Sequence, residues 1–399
     1  MNAQKTWQLD AWQLKPTAQP IIYPDSSQVN YIIQKLSHLP PLVTAFEIEI
    51  LKAQLAEAAA GKCFLLQAGD CAESFADCTA ESINNKLKIL LEISLILSEG
   101  LNKPVIQVGR LAGQYAKPRS AEMETQNEIT LPSYRGDLIN RPGFSLEERT
   151  PDSQLMLQGY YNSALTLNYI RALVDSHFYV SHEALHLLYE QALTRQEKNG
   201  RWYNLSTHFP WIGMRTADPE QSHIEYIRGI ANPIAIKISS NVTPERLTAL
   251  VDILNPTNEP GRLTLIHRLG AQRVSDSLPR LIETVQKTGK TVLWCCDPMH
   301  GNTSTTSTGI KTRRFDDILF ELQQSFSIHQ NMNSYLGGVH FELTGENVTE
   351  CIGGAQGLSE TDLAYAYKSL LDPRLNYEQA LEIAMLIVRE SNHVKSEAQ

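Results

Sequence analysis

Three side chains that could bind a metal ion stand at the ends of three widely separated apolar segments. Cys71 follows CFLLQAGD, His300 follows TVLWCCDPM, and Glu342 lies near the end of GVHFELT. A thiolate, an imidazole and a carboxylate together suit a borderline divalent ion such as Mn, Fe, Co or Zn better than Mg or Ca. Taken singly, the cysteine is more simply a small buried side chain and the histidine a hydrogen-bonded loop residue. The metal hypothesis therefore requires a fold that brings the three segment ends together.

Cationic side chains end four further segments, at Arg110, Arg215, Lys237 and Arg268. A lone cation at such a place is usually solvated or ion-paired. Burying several together costs many kcal/mol unless anions neutralise them. Phosphates and carboxylates match the bidentate geometry of arginine. The four cations thus predict a substrate that carries several negative charges.

The loop GRLAGQYAKPRS adds Lys117, Arg119 and Ser120 just after the second apolar segment. Pro118 could simply mark a turn with solvated cations around it. Donors clustered close to Gly113 would equally suit a phosphate. The residues alone leave both interpretations open.

Alternating β-rich and helical segments predict how these side chains are positioned. This order favours a (β/α)8 TIM barrel with an N-terminal extension, because a doubly wound sheet would place a Gly-x-Gly-x-x-Gly loop after its first strand and none is present. We expect residues 1–60 to form the extension, partly helical from Pro41 to Ala60, and residues 61–395 to form the barrel. The predicted strands are CFLLQAG, PVIQVG, FYVSHEA, HFPWIG, IAIKIS, RLTLIHR, TVLWCCD and GVHFELT.

Strand parity assigns the side chains to the two faces of the predicted barrel wall. In IAIKIS the three isoleucines share one face and leave Lys237 on the other, and in GVHFELT the same alternation separates Phe341 from Glu342. Barrel chemistry takes place at the carboxyl ends of the strands. Two helices are also predicted, over residues 80–100 and over 244–256, the second with Thr243 as its N-cap.

Composition limits the classes of partner. The 399 residues include 44 acidic and 35 basic ones, for a net charge of -9, and no basic block is present. We therefore expect no nucleic-acid partner. The first residues lack a secretory pattern and no apolar run reaches the ~18 residues of a membrane span, so we expect no membrane association and a cytoplasmic location. The six cysteines, without a C-x-x-C spacing, are expected to be reduced thiols or ligands.

Several longer segments together resemble the type II 3-deoxy-D-arabino-heptulosonate 7-phosphate (DAHP) synthases, which catalyse the first step of the shikimate pathway. The resemblance implies a (β/α)8 barrel that condenses phosphoenolpyruvate with erythrose 4-phosphate and releases phosphate. The segments run from about residue 60 to 376 and are QAGDCAESF, VGRLAGQYAKPRS, LPSYRGD, SHEAL, HFPWIGMRT, GRLTLIHRLGA, CDPMHGNT, KTRRFDDI, GGVHFELTGENVTECIGG and DPRLN.

Roles follow from the resemblance at the positions that match. It implies a divalent metal, Mn or Co with Zn or Fe as alternatives, and a homodimer or homotetramer. Lys237 would relay a proton through water, and Cys71 and His300 would act in catalysis through the metal. The implied metal ligands are Cys71, His300, Glu342 and Asp372. The implied phosphoenolpyruvate-binding residues are Arg110, Arg215, Lys237 and Arg268. The implied erythrose 4-phosphate-binding residues are Lys117, Arg119 and Ser120.

The sequence departs from the family pattern at Met214, where an acidic residue usually precedes the arginine of WIG-x-RT. Methionine cannot accept a hydrogen bond from a catalytic water as a carboxylate does. This change keeps open a related condensation with another phosphorylated aldehyde, such as an amino-sugar acceptor. A non-catalytic homologue that binds phosphorylated ligands is a further alternative. The short stretch from Gly159 to Ser181 also predicts weak or absent inhibition by aromatic amino acids.

Overall fold

A parallel β-sheet that closes on itself forms the centre of the fold. The computed structural model describes residues 7–174 and 177–397, so residues 1–6 of the predicted extension lie outside the described part. In the described residues the sheet has eight strands, one at each segment predicted from the sequence. They are β1 Phe64–Gly69, β2 Val105–Arg110, β3 Tyr179–Val180, β4 Trp211–Ile212, β5 Ile234–Ile238, β6 Leu263–His267, β7 Leu293–Cys296 and β8 Leu336–Glu342.

The strands follow one another around the barrel in chain order, and β8 pairs with β1. The seam between β3 and β4 is closed just past the end of β3, by a parallel bridge between Glu183 and Trp211. Two backbone hydrogen bonds support this bridge, from Ala184 N to the Trp211 carbonyl at 2.9 Å and from Trp211 N to the His182 carbonyl at 3.1 Å. The predicted (β/α)8 barrel is confirmed.

The predicted faces of β5 and β8 are also confirmed. Ile234, Ile236 and Phe341 belong to the apolar layer between the sheet and the surrounding helices. Ala235 belongs to the separate apolar cluster inside the barrel. Lys237 therefore points inward, because successive side chains of a strand alternate between its two faces.

Helices surround the barrel and connect its strands. The two helices predicted between strands are present as α3 and α8, and the predicted N-cap of α8 is correct, since Thr243 Oγ1 accepts from Arg246 N at 3.2 Å. The helices are α1 Ser26–His38, α2 Ala45–Ala59, α3 Ala80–Leu101, α4 Leu146–Arg149, α5 Gln154–Leu173, α6 Leu187–Ala192, α7 Ser222–Gly229, α8 Pro244–Leu254, α9 Val274–Thr288, α10 Phe315–Asn331 and α11 Tyr377–Glu397. Among the helices of residues 7–174 and 177–397, none has both the length and the apolar character needed to cross a bilayer.

Helix α2 closes the foot of the barrel. Thr44 and Glu47 form a capping box at its start, with Thr44 N donating to Glu47 Oε2 at 2.8 Å and Glu47 N donating to Thr44 Oγ1 at 3.2 Å. Leu51 and Leu55 of this helix join the interior cluster together with Leu65 of β1. The segment before the first strand thus supplies part of the barrel core.

The residues before α2 also pack on the rest of the chain. Trp7 Nε1 donates to the Glu225 carbonyl of α7 at 2.9 Å, and Trp12 Nε1 donates to Gln191 Oε1 of α6 at 2.9 Å. The structure also contains α1, which the sequence did not predict. Asp25 caps α1 by accepting from the backbone N–H groups of Ser27 and Gln28.

Close backbone contact joins the loops that follow β6 and β7 at the carboxyl end of the barrel. A Cβ atom on Gly301 would lie 2.3 Å from Gly270 N, a distance that side-chain-bearing residues do not reach. This packing explains why the apolar segment that ends in CDPMH is followed by glycine. It fixes the positions of His300 and Arg268, which lie on these two loops.

Candidate active site

The four predicted metal ligands lie together at the mouth of the barrel. Gly69 pairs with Glu342 across β1 and β8, which places Cys71, two residues further on, next to the Glu342 carboxylate. Ligand atoms of Cys71, Glu342 and Asp372 all lie within 4.8 Å of one another. His300 Nε2 is 3.0 Å from Glu342 Oε1. Four donor groups from distant parts of the sequence therefore share one small volume.

Lys117 extends into this ligand group. Its ammonium contacts Cys71 Sγ and Asp372 Oδ2 and lies 3.2 Å from Glu342 Oε1. Burial alone would raise the pKa of the Asp372 carboxyl, but Lys117, together with Arg313 and His300, more than offsets this effect and the pKa is lowered. Burial, together with Glu342, raises the pKa of the Cys71 thiol to about 12. The Lys117 ammonium is thus surrounded by the sulfur and carboxylate oxygens of these side chains.

Glu342 is the centre of the charge network. Its side chain is fully buried, and it accepts from Arg110 at 3.0 Å and from Arg313 at 2.8 Å. Burial would raise the pKa of this carboxyl, yet the surrounding cations, with His300 and Lys117 the largest contributors, hold it well below its usual value. Glu342 is therefore an ionised carboxylate inside the barrel.

His300 and Lys237 are both held by Asp297, the residue that follows β7. His300 Nδ1 lies 2.7 Å from Asp297 Oδ2, and Lys237 Nζ lies 2.9 Å from the same oxygen. A carboxylate on Nδ1 orients the ring and directs Nε2 toward Glu342. Burial lowers the pKa of the Lys237 ammonium, although Asp297 partly opposes this. The lysine is thus a better proton donor than a solvated one.

Beside the ligand group is a cleft of about 400 Å³ with a strongly cationic lining. Arg215 donates to Ser120 Oγ at 2.6 Å, and Arg268 donates to the His300 carbonyl at 2.7 Å. Arg119 is paired with Glu124 at 2.7 Å. The cationic residues of the lining are Lys117, Arg119, Arg215, Lys237, Arg268 and Lys311.

Of the predicted substrate-binding residues, Arg110 alone does not line this cleft. Its side chain is 1% exposed and lies beneath the site, where it contacts Glu342, His340 Nε2 and the face of Trp211. In the described structure Arg110 Nε has no hydrogen-bond partner. The structure therefore places this arginine between the ligand group and the barrel interior.

Glu183 supplies a carboxylate on the wall of the cleft next to Gly213 and Met214. Burial raises the pKa of the Glu183 carboxyl, and Lys237 and Lys117 partly oppose this effect. Among the described residues, its Oε1 atom has no hydrogen-bond partner. A Cβ atom on Gly213 would lie 2.2 Å from that oxygen, so any larger residue at this position would displace the Glu183 carboxylate.

Sequence reasoning gave no role to Asp297, Glu183 or Arg313. Glu183 could have been found from the sequence, because it lies near the end of the third predicted strand, as the other residues of the barrel mouth do on their strands. Asp297 is the last residue of the predicted strand TVLWCCD, and the strand pattern does not indicate that it orients His300. Arg313 comes from a short ribbon formed by Thr303–Thr305 and Lys311–Arg313, whose position the strand pattern does not indicate.

A (β/α)8 barrel with a group of buried donor atoms and a cationic cleft at its mouth defines a barrel enzyme whose site is suited to anionic ligands. The sequence profile of the class-II DAHP synthetase family matches residues 7–178 and 173–388. The chain belongs to this family, as the resemblance predicted.

Two relatives named phospho-2-dehydro-3-deoxyheptonate aldolase match nearly the whole chain. The protein from Neurospora crassa is 41% identical and covers 98% of this chain and 95% of its own length. The protein from Streptomyces coelicolor is 40% identical, with 95% and 96% covered. A solved structure of the aldolase of the same name from Francisella tularensis covers 94% of this chain and 97% of its own, with a TM-score of 0.56. At 15% identity, the last comparison supports the fold alone.

Proposed function

We propose that this protein is a 3-deoxy-7-phosphoheptulonate synthase, which condenses phosphoenolpyruvate with erythrose 4-phosphate and releases inorganic phosphate. This reaction is the first step of the shikimate pathway. Family membership supports the proposal, and one structural observation carries it. Side chains of the kinds that bind metal ions lie next to a cleft lined by six lysines and arginines. We further infer a cytoplasmic location and a homodimer or homotetramer.

The donor chemistry fits a divalent ion of the borderline class. A cysteine, a histidine and two carboxylates favour Mn or Co, with Zn or Fe as alternatives, over Mg or Ca. Cys71, His300, Glu342 and Asp372 would hold the ion, and Lys117 would then turn toward the substrate. When bound, the ion acts as a Lewis acid on the aldehyde oxygen of erythrose 4-phosphate.

The cations of the cleft would hold two polyanions close to one another. Arg215, Arg268 and Lys237 are placed to bind the phosphate and carboxylate of phosphoenolpyruvate, with Arg110 beneath them. Lys117, Arg119 and Ser120, on the loop after β2, are placed to bind the phosphate of the aldehyde. Holding both reactants in reacting geometry lowers the barrier mainly by positioning.

The reaction balances as a carbon–carbon bond formation coupled to loss of phosphate. Carbon 3 of phosphoenolpyruvate attacks the aldehyde carbon, and water adds to carbon 2. The resulting tetrahedral species loses the bond between carbon 2 and the phosphate oxygen. Glu183, whose Oε1 is unpartnered among the described residues, would accept the proton of the attacking water in place of the acid missing at Met214. Lys237, held by Asp297, would relay a proton through water to the former aldehyde oxygen, which becomes a hydroxyl group.

Replacing Glu183 by glutamine is expected to lower kcat by about 10²-fold, as for loss of a positioned general base. Because burial raises the pKa of Glu183, the carboxylate protonates above the usual carboxyl range as pH falls. We therefore expect an acidic limb in the pH profile of the wild type that disappears in Glu183→Gln. The measurement is kcat against pH at saturating manganese, with Glu122→Gln, an exposed acid, as the control. An unchanged acidic limb in Glu183→Gln would show that another group governs it.

An Arg119→Met variant is expected to raise the KM for erythrose 4-phosphate by about 10- to 100-fold, since it removes one charge-assisted phosphate contact of about 1.5–3 kcal/mol. The KM for phosphoenolpyruvate should stay within about twofold. Steady-state kinetics with each substrate varied will measure both constants. Arg141→Met is the matched control, because Arg141 pairs with Asp152 on the surface. A larger rise in the phosphoenolpyruvate KM would reverse the assignment of the two binding regions.

Phosphate release measures the function directly. Protein stripped by a chelator and then given manganese should release phosphate only when both substrates are present. Release with an amino-sugar phosphate but not with erythrose 4-phosphate would favour the altered-acceptor alternative. Ligand binding without any release would favour a phospholigand-binding protein, although a pure binder has no need of the donor set.

A further inference from the structure

A second group of potential metal ligands lies outside the barrel wall, between β6, β7 and α10. Ligand atoms of His267, Cys296 and Glu321 all lie within 4.8 Å of one another, and the three side chains are fully buried. The parity that directs Lys237 inward directs His267 and Cys296 outward, toward α10. This group is therefore separate from the candidate active site, on the opposite face of the wall.

His267 is an unusual feature of this group. In the described part of the chain, neither of its ring nitrogens has a hydrogen-bond partner, although the side chain is 0% exposed. A buried polar group without a partner costs about 1–3 kcal/mol. A metal ion is one of the few partners that can bind an imidazole lone pair in such a place.

Glu321 is a buried acidic side chain without a cationic partner among the described residues. Its oxygens accept from Leu269 N at 2.7 Å and from Asn302 Nδ2 at 2.8 Å, and no lysine or arginine of the described residues bonds to it. A divalent ion with a thiolate, a carboxylate and a neutral imidazole would give a site of zero net charge, which suits a buried position.

We propose that His267, Cys296 and Glu321 bind a second, structural divalent ion of the zinc or cobalt class. Thiolate, imidazole and carboxylate are the ligands that zinc uses in proteins. His329 adjoins the site, since its ring centre is 5.8 Å from that of His267 and its Nε2 has no partner among the described residues. A cavity of about 140 Å³ is lined by His329 and by the partly exposed Tyr335.

An ion at this position would stabilise the two loops that follow β6 and β7 and carry Arg268 and His300. Glu321 holds Leu269, next to Arg268, and Asn302, two residues after His300. Cys296 directly precedes Asp297. The ion would thus join the two loops whose glycines are already in contact at the mouth, without touching substrate. This inference does not depend on which reaction the mouth catalyses.

Metal content in zinc-loaded protein tests the proposal, by elemental mass spectrometry after chelation and dialysis. We expect two equivalents in the wild type and in Cys295→Ser, and one in Cys296→Ser and in His267→Gln. Cys295 is the matched control, because it is buried on the same strand but points into the barrel. One equivalent in the wild type that is unaffected by Cys296→Ser would overturn the proposal.

Cobalt loading of a Cys71→Ser/His300→Ala protein isolates the second site. We expect a thiolate-to-cobalt charge-transfer band in this protein, and we expect the band to disappear when Cys296→Ser is added. If the Cys71→Ser/His300→Ala protein shows no such band, the proposed site is wrong. If Cys296→Ser does not fold, as judged by circular dichroism, X-ray absorption of the zinc-loaded double variant replaces it. A sulfur neighbour at about 2.3 Å supports the site, and only nitrogen and oxygen neighbours refute it.

Discussion

His300→Ala is expected to remove nearly all metal-dependent phosphate release, by about 10³-fold or more, while the protein stays folded. The reason is that Lewis-acid stabilisation contributes several kcal/mol, and each 1.36 kcal/mol is a factor of ten in rate. His300 is oriented by Asp297, and its Nε2 lies 3.0 Å from Glu342 Oε1. Its loss therefore removes one of the four proposed metal ligands. Cys71→Ser should act in the same direction, because serine is a much poorer ligand for a borderline ion.

The measurement is phosphate release at increasing manganese, with bound metal counted in parallel. Cys78→Ser serves as the control, since the Cys78 thiol bonds to the Asn162 carbonyl and to Thr166, away from the cleft. Circular dichroism establishes that each variant is folded. If Cys71→Ser or His300→Ala retained full metal-dependent turnover, the proposed ligand assignment would be wrong.

Lys237→Met is expected to lower kcat/KM for phosphoenolpyruvate by about 10²- to 10³-fold, as for loss of a preorganised electrostatic contact in a site shielded from water. The side chain of Lys237 is 6% exposed and its ammonium lies 2.9 Å from Asp297, so water cannot replace it at low cost. Both kcat and KM should change, because the side chain is proposed both to bind substrate and to relay a proton.

Lys311→Met provides the matched comparison, because Lys311 lines the same cleft but is about half exposed and lies 3.4 Å from Asp372. We expect a change of less than about tenfold there, since exposed ion pairs contribute about 1 kcal/mol or less. Steady-state kinetics with both substrates distinguish the two variants. Equal losses in Lys237→Met and Lys311→Met would indicate that the cleft acts only through its total charge.

The architecture could be predicted because barrel strands have a strong local pattern. Each of the eight segments is rich in apolar and β-branched or aromatic residues, and in the described residues each one contains a barrel strand. The seam between β3 and β4 could not be predicted, because these strands are two residues long and are joined through a single bridge beyond β3. Helix α1 was missed because its sequence is mostly polar, with an apolar face formed by Val29, Ile32 and Leu36.

For the site, the sequence indicated which residues stand at strand ends but not how far their side chains extend. Lys117 was grouped with Arg119 and Ser120 on the loop after β2, and all three do line the cleft. Its four-carbon side chain, however, also carries the ammonium into the ligand group. Asp372 came only from the family resemblance, since it follows the last strand by 30 residues in irregular chain. Such contacts depend on loop paths that no local periodicity determines.

The start of the chain reaches the active site as well as the barrel foot. Gln19 Nε2 donates to the Arg119 carbonyl at 3.2 Å, and Arg119 N donates to Gln19 Oε1 at 2.9 Å. A fragment that begins at Cys63 would therefore lose the hydrogen bonds from Gln19 to the proposed aldehyde-binding loop. It would also lose Leu51 and Leu55 of α2, which pack inside the barrel. We therefore expect a minimal active version of this enzyme to need the segment from Gln19 through α2.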